Sequence, residues 1–181
     1  MHKDNVIFQD ADRFNVSGAK TRHYGAELSL DYRFDENWYV RLDGTWASHT
    51  YDNDISLFGS SGNIKGNTID TAPESFGSAR LGWNFSTPAE RNGTVELEWV
   101  YMDNYYLEPA NEYQYDGHSL FNLRMSAMLN RHWQGILRVT NLLDEDYAER
   151  ADFGFGNYRY FVGQPRGAYF EVSYQFGEMS N

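Results

Sequence analysis

Aromatic and arginine side chains are concentrated between Asp144 and Pro165. A guanidinium group can pair with an anion through two parallel hydrogen bonds, and an aromatic ring offers a face for stacking. This segment could therefore hold an anionic or aromatic ligand. Alternatively, it packs on neighbouring loops, with Gly154 and Gly156 forming tight turns. The candidate ligand-contacting residues are Tyr147, Arg150, Phe153, Phe155, Tyr158, Arg159 and Tyr160.

A second aromatic cluster lies between residues 105 and 118. Its candidate ligand-contacting residues are Tyr105, Tyr113, Tyr115 and His118, with Tyr106 beside them. Tyrosine is also enriched at membrane–water interfaces, because its ring is apolar and its hydroxyl is polar. An interfacial aromatic girdle is therefore the alternative interpretation of this cluster.

Residues that could perform catalysis or bind metal lack the required spacing. The five histidines, at positions 2, 23, 49, 118 and 132, show no paired metal-ligand spacing. Asp52-Asn53-Asp54 lacks the spaced ligands and closing glutamate of a calcium loop. No hydrolase, zinc-protease, phosphate-loop or dinucleotide motif is present, and there is no cysteine. The sequence predicts no enzyme, no metal site and no cofactor.

The elements that would position these loops are strands with a strict two-residue alternation of apolar and polar side chains. About ten residues suffice for a tilted strand to cross a bilayer. In the strand that begins at Trp38, a second tryptophan at position 46 ends the apolar face, as in the aromatic girdles of membrane barrels. The alternation predicts about seven antiparallel strands, at 24–34, 38–46, 77–85, 95–102, 121–129, 133–141 and 166–176.

The polar faces of these strands carry charges, which favours a solvated lumenal ladder inside a transmembrane barrel. A soluble barrel or sandwich would show the same alternation with its apolar face turned inward. The sequence pattern alone leaves both open. The charged residues of the predicted ladder are Glu27, Asp31, Arg33, Arg41, Asp43, Glu96, Glu98, Arg124, Arg138 and Glu171.

The connections alternate in length. Short turns are predicted near 35–37, 87–93 and 130–132, and long loops near 52–73, 104–118 and 143–166. Outer-membrane barrels have short periplasmic turns and long extracellular loops. Residues 2–12 contain too few apolar side chains for an eighth crossing, and bacterial barrels have an even number of strands. The sequence therefore reads as a piece of a barrel, beginning in an extracellular loop and ending in the periplasm.

Composition narrows the possible partners. Aromatic residues make up 17% of the chain, including 14 Tyr and 5 Trp, which suits a protein that crosses two membrane interfaces. The formal net charge of -11 argues against a nucleic acid partner, because the phosphate backbone is itself anionic.

Several motifs in order resemble one family. They are Asn15-Val16 followed by Gly25-Ala26-Glu27-Leu28, Gly66-Asn67-Thr68-Ile69 with Ala72-Pro73-Glu74, Ser119-Leu120-Phe121-Asn122-Leu123-Arg124, Val139-Thr140-Asn141-Leu142-Leu143-Asp144-Glu145-Asp146-Tyr147, Gly163-Gln164-Pro165-Arg166 and Tyr174-Gln175-Phe176. Together they resemble the C-terminal barrel of TonB-dependent outer-membrane receptors over nearly all of residues 1–181. The resemblance marks these residues as family-motif positions with a structural role: Gly25, Glu27, Pro73, Asn141, Asp144, Tyr147, Gly163, Pro165, Arg166 and Phe176.

The resemblance implies a segment of a 22-stranded barrel in the outer membrane of a Gram-negative bacterium. It implies a receptor that takes up a scarce ligand, typically a ferric siderophore. Its partners would be membrane lipid, an N-terminal plug and further strands of the same receptor, and the TonB complex acting through that plug. Two other hypotheses stay open: a self-contained small outer-membrane barrel with an adhesion or structural role, and a soluble all-β ligand-binding domain.

Overall fold

The computed structural model describes residues 1–9, 15–52, 63–87 and 92–176. Eight strands form one antiparallel sheet with the order β1-β2-β3-β4-β5-β8-β9-β12. They are β1 (His2–Gln9), β2 (Asn15–Arg33), β3 (Trp38–Tyr51), β4 (Ser75–Ser86), β5 (Asn92–Met102), β8 (His118–Met128), β9 (Trp133–Thr140) and β12 (Gly167–Tyr174). Two small hairpins complete the fold: β6 (Tyr105–Tyr106) with β7 (Gln114–Tyr115), and β10 (Ala148–Gly154) with β11 (Asn157–Val162). The all-β, antiparallel prediction is confirmed.

The described part of the chain contains no helix that is long and apolar enough to cross a membrane.

The strand register separates apolar from polar side chains, as the alternation predicted. Leu42 of β3 lies between Leu30 of β2 and Ala79 of β4, on a face whose large apolar side chains are exposed. The neighbouring Asp43 lies on the opposite face with Ser29 and Ser78. Ile136 pairs with Ser126 and Glu171 on the polar face, so β9 departs there from the strict alternation.

Aromatic rings mark both ends of the apolar face. Trp38 stacks on Trp83 with ring centroids 6.0 Å apart at the short-turn end, where Trp133 also contacts Tyr174 at 4.8 Å. At the other end Trp46 meets Tyr24 edge-on at 5.8 Å. Eight residue steps from Trp38 to Trp46 correspond to roughly 26 Å along the strand, or roughly 20 Å across the membrane at a strand tilt of about 40°, compared with an apolar band about 25 Å tall in membrane barrels.

The two fully described short turns are built the same way. The Asp35 carboxylate accepts the amide hydrogens of Asn37 and Trp38 at 2.7 and 2.8 Å. The Asn130 side-chain oxygen accepts those of His132 and Trp133 at 2.9 and 3.0 Å. These Asx turns explain why Asp and Asn begin the turns. In the third short turn and in the loop after β3, residues 88–91 and 53–62 lie outside the described residues.

The structure differs from the sequence prediction at the start of the chain. Residues 2–9 form a strand, so the sheet has eight strands and not seven. This strand pairs with residues 15–22 of β2, beyond Tyr24 and therefore beyond the apolar band. Backbone pairing along the extended part of β2 orders it, and the scarcity of apolar side chains fits its position outside the predicted crossing. Asn53 and Asp54, which the sequence did not support as part of a calcium loop, lie outside the described residues.

Candidate functional site

The three long connections lie at one end of the sheet and are hydrogen-bonded to one another. Asn111, with φ of 60°, accepts the Thr68 amide hydrogen and donates to the Thr68 carbonyl, at 2.8 and 2.9 Å. The Thr71 amide donates to the Tyr106 carbonyl at 2.8 Å, and the Phe153 amide donates to the Leu107 carbonyl at 3.1 Å. We call residues 63–74, 103–117 and 141–166 together the loop assembly.

Two predicted ligand residues lie in the core of the loop assembly. The Tyr105 hydroxyl accepts the Ala151 amide hydrogen at 2.8 Å and donates to the Ala151 carbonyl at 3.2 Å. The Tyr115 hydroxyl makes the same pair of contacts with Ala148, both at 3.1 Å. Both rings are buried, packed with Leu107. The two hydroxyls therefore supply hydrogen-bond partners that a neighbouring strand would otherwise give the β10 backbone.

His118 lies beneath this core, at the first residue of β8. Its Nδ1 lies 2.9 Å from the Tyr115 hydroxyl, and its ring centroid lies 4.8 Å from that of Tyr147. Burial lowers the pKa of His118 from its ordinary value, and the carboxylate of Glu145 opposes this only in part. The imidazole is therefore neutral at neutral pH and belongs to the packing of the loops.

A buried carboxylate holds the two predicted arginines. Asp152 is only 4% exposed. Its Oδ1 accepts the Arg159 Nε–H at 2.6 Å, and its Oδ2 lies 2.6 Å from Arg150 Nη2. The guanidinium of Arg150 also lies over the Phe161 ring at 5.6 Å, and that of Arg159 over Phe155 at 6.0 Å. Two guanidinium groups are thus held in place by one buried carboxylate, and with Glu149 the charges of the hairpin balance.

The remaining predicted aromatic residues form the outer surface of the loop assembly. Tyr113, Phe155 and Tyr160 are 53%, 62% and 54% exposed. Tyr158 contacts Tyr113 and Phe153 with centroids at 4.5 and 4.9 Å. Burial, reinforced by the nearby Glu108 carboxylate, raises the pKa of Tyr158 to about 12, so its hydroxyl is a neutral hydrogen-bond donor at neutral pH. This is an exposed aromatic surface beside two anchored guanidinium groups.

The longest family motif is a hydrogen-bonded turn. Asn141 is 3% exposed with φ of 49°. Its side-chain oxygen accepts the Glu145 amide hydrogen at 2.8 Å, and its Nδ2 donates to the carbonyls of Glu145 and Gln164 at 2.9 and 3.2 Å. Asp144, with φ of 60°, accepts the Arg166 amide hydrogen at 2.9 Å. The turn thus joins the start of the last long loop to its end.

Some of the other motif positions are glycines packed against a neighbouring residue, and the rest lie at or near the surface. A Cβ at Gly163 would clash with the Tyr147 ring, and one at Gly25 would clash with the Trp46 carbonyl oxygen. Arg166 pairs with Asp144 at 3.4 Å. Glu27 and Pro165 are exposed, Pro73 is half-buried and Phe176 is 86% exposed.

The polar face of the sheet lines a depression of about 520 Å³. Arg80 donates to Glu98 at 2.7 Å, and the same carboxylate accepts from Asn122 at 2.9 Å. The Tyr39 hydroxyl donates to Glu96 at 2.8 Å across Gly82, whose missing side chain leaves room for the tyrosine ring. Part of the predicted charged ladder forms cross-strand ion pairs, Arg41 with Asp31 and Arg138 with Glu171, whereas Arg124 lies opposite Arg138.

One cluster was missed by sequence reasoning. His23 and His49 are 26 positions apart, yet the β2–β3 register places them opposite each other, with Nδ1 atoms 2.7 Å apart. A register assignment that extended β2 back past Tyr24 would have paired them. Within the described residues no group of three or more metal-ligating side chains is present.

The fold and its loops define a class of protein: a barrel wall with an apolar outer face, a charged inner face and an aromatic loop assembly at one end. The family model described as "TonB dependent receptor-like, beta-barrel" matches residues 1–142. The chain belongs to this family, whose members are receptors and transporters of the outer membrane of Gram-negative bacteria.

Solved structures share the fold. The ferric yersiniabactin uptake receptor FyuA from Yersinia pestis is similar at 13% identity with a TM-score of 0.78, over 97% of this chain and 26% of that one. The siderophore receptor PiuA from Acinetobacter baumannii is similar at 18% identity with a TM-score of 0.75, over 96% of this chain and 24% of that one. BauA, the ferric preacinetobactin receptor of the same organism, is similar at 18% identity with a TM-score of 0.72, over 97% of this chain and 26% of that one. The chain spans about a quarter of the length of each.

Proposed function

We propose that this chain supplies barrel wall and extracellular loops to a TonB-dependent receptor for active uptake of a ferric siderophore or a similar scarce ligand. Family membership supports the transport class. The names of the similar structures support the ligand class, since all three are siderophore receptors. The self-contained adhesion barrel is not favoured by either finding.

The anchored guanidinium pair on the loop assembly carries the ligand proposal. Arg150 and Arg159 share the carboxylate of Asp152, which holds both guanidinium groups in place at the surface of the hairpin. Fixed guanidinium groups recognise carboxylate and catecholate oxygens with little loss of side-chain freedom. The exposed rings of Tyr113, Phe155 and Tyr160 add faces for stacking.

The buried members of the predicted site support this surface from behind. Tyr105 and Tyr115 hold β10, and His118 packs against Tyr115 and Tyr147. Phe153 lies between this core and Tyr158. We assign direct ligand contact to Tyr113, Arg150, Phe155, Tyr158, Arg159 and Tyr160, and a positioning role to the others.

The remaining partners follow from the two faces of the sheet. The exposed apolar face, flanked by aromatic rings, is suited to outer-membrane lipid. The charged inner face, with its depression of about 520 Å³, is suited to the plug through which TonB acts on receptors of this family. No nucleic acid partner is proposed.

The test is uptake of ⁵⁵Fe by the receptor that carries this chain, in a strain without other siderophore receptors. Iron supplied as a ferric catecholate or ferric carboxylate should accumulate only when TonB is present. Arg150→Gln should reduce uptake, because it removes an exposed guanidinium, whereas Arg131→Gln at the opposite end of the barrel should not. Uptake without TonB, or no uptake of any ferric siderophore, would overturn the proposal.

A further inference from the structure

We propose that His23 and His49 form a binding site for a divalent transition-metal ion, with Cu²⁺ as the best fit, on the inner face of the β2–β3 pair. The site is separate from the aromatic surface of the loop assembly. It lies just beyond the ring of Tyr24, at the loop end of the apolar band.

The two imidazole rings face each other across the β2–β3 pair. Their Nδ1 atoms lie 2.7 Å apart and share a hydrogen bond, with ring centroids at 5.0 Å. Two nitrogens bound to one ion at about 2.0–2.1 Å in a square arrangement are roughly 2.9 Å apart, and in a tetrahedral arrangement roughly 3.3 Å. The separation is therefore close to the square geometry that Cu²⁺ and Ni²⁺ prefer, and binding requires loss of the shared proton and a rotation of both rings so that their lone pairs meet at the ion.

A second hydrogen bond fixes the orientation of the His23 ring. Its other nitrogen, Nε2, lies 2.8 Å from the Thr21 hydroxyl, and Thr21 is only 3% exposed. Histidine ligands are typically held by a second hydrogen bond of this kind, which fixes the ring so that the free nitrogen faces the metal. Thr21 therefore acts as a positioning residue.

The two rings also border open space. His23 and His49 line a depression of about 380 Å³ that also includes Gly25, Glu27 and Thr45. A two-histidine site needs further ligands, and this depression has room for water molecules that would complete the coordination of the ion.

Copper binding by the purified receptor that carries this chain, in detergent micelles, tests the proposal, with Cu²⁺ alone as the probe. We expect one tightly bound ion whose electron paramagnetic resonance spectrum shows coupling to two imidazole nitrogens. His23→Gln and His49→Gln should each weaken binding at least about tenfold.

Two further variants separate a metal site from a structural histidine pair. Thr21→Val keeps the shape of the side chain but removes its hydroxyl, and should weaken copper binding roughly tenfold with little change in folding. His132→Gln, in a short turn at the far end, should leave binding unchanged. Equal copper affinity in the parent and in the His23→Gln/His49→Gln double variant would overturn the proposal, as would a spectrum without imidazole nitrogens.

Discussion

At the scale of single residues, the loop assembly depends on a few side chains that replace backbone partners. Asn141 satisfies three backbone groups from a position with φ of 49°, where asparagine is tolerated better than most residues. The resemblance marked Asn141 and Asp144 as positions with a structural role, and turn formation fits that role because such side chains bond nearby backbone groups. It did not indicate that Asn141 also reaches Gln164, since that contact depends on where the loop returns.

The titration of His118 gives a prediction at this scale. Its pKa is lowered in the folded state, so the unfolded chain binds the proton more tightly. The contribution of neutral His118 to the free energy of unfolding is therefore fully present above the pKa of about 6.5 that histidine has in the unfolded chain. It is lost as the pH falls from there toward the lower pKa of the folded state. Proteolytic cleavage within residues 103–117 and 141–166 should therefore become faster as the pH is lowered from 7.5 to 5.

His118→Gln is the control for that measurement. It should remove most of the difference in cleavage rate between the two pH values. An unchanged pH dependence in this variant would show that another group is responsible.

At the scale of elements, the regular strands could be predicted and the details above the membrane could not. The alternation in residues 38–46 and 121–129 comes from a sheet with one apolar and one polar face, so a sequence pattern reveals it directly. The β10–β11 hairpin was predicted only as a loop, because its sequence lacks alternation. Its turn is made by Phe155 and Gly156, both with positive φ, at 53° and 73°.

The roles of the loop tyrosines could not be predicted from the sequence either. Composition could not distinguish the buried Tyr105 and Tyr115 from the exposed Tyr113 and Tyr160, because burial depends on how three loops pack. The pairing of His23 with His49 was missed for a similar reason: it requires the register of the 19-residue strand β2.

Removal of the tyrosine hydroxyls tests how β10 is held. Tyr105→Phe should leave the amide and carbonyl of the fully buried Ala151 without partners, at a cost of roughly 1–3 kcal/mol. Hydrogen exchange measured by mass spectrometry should therefore accelerate in residues 148–162. Tyr115→Phe should act similarly through Ala148.

Tyr106→Phe is the matched control, since it changes a half-buried neighbour on the same short strand. Equal protection of residues 148–162 in the Tyr105 and Tyr106 variants would contradict the assigned role of the hydroxyl.

The assignment of faces is tested by a charge at the middle of a strand. Leu42→Arg places a guanidinium on the apolar face of β3, and should cost roughly 2–4 kcal/mol when unfolding by urea is measured in lipid vesicles. Thr45→Arg places the same group on the inner face beside Glu27, and should cost much less. A comparable cost for both would mean that the faces are assigned wrongly.

At the scale of the whole molecule, the chain combines a wall with two chemically different faces and a loop assembly at one end. The wall follows from the two-residue alternation, and its edge strands in the described sheet are β1 and β12. The loop assembly depends on contacts between segments distant in sequence. Aromatic girdles at 38 and 46 fix the position of the wall in the bilayer, so the loop assembly must lie entirely on one side of it.

The side of the membrane on which the loop assembly lies can be measured by labelling, because the chain has no cysteine of its own. Single cysteines placed at Asn111 and Phe155 in the loop assembly, and at Asn37 and Asn130 in the short turns, provide the markers. A membrane-impermeant maleimide should label the first two on intact cells and the last two only after the outer membrane is permeabilised. Labelling of the short turns on intact cells, with protected loops, would contradict the account.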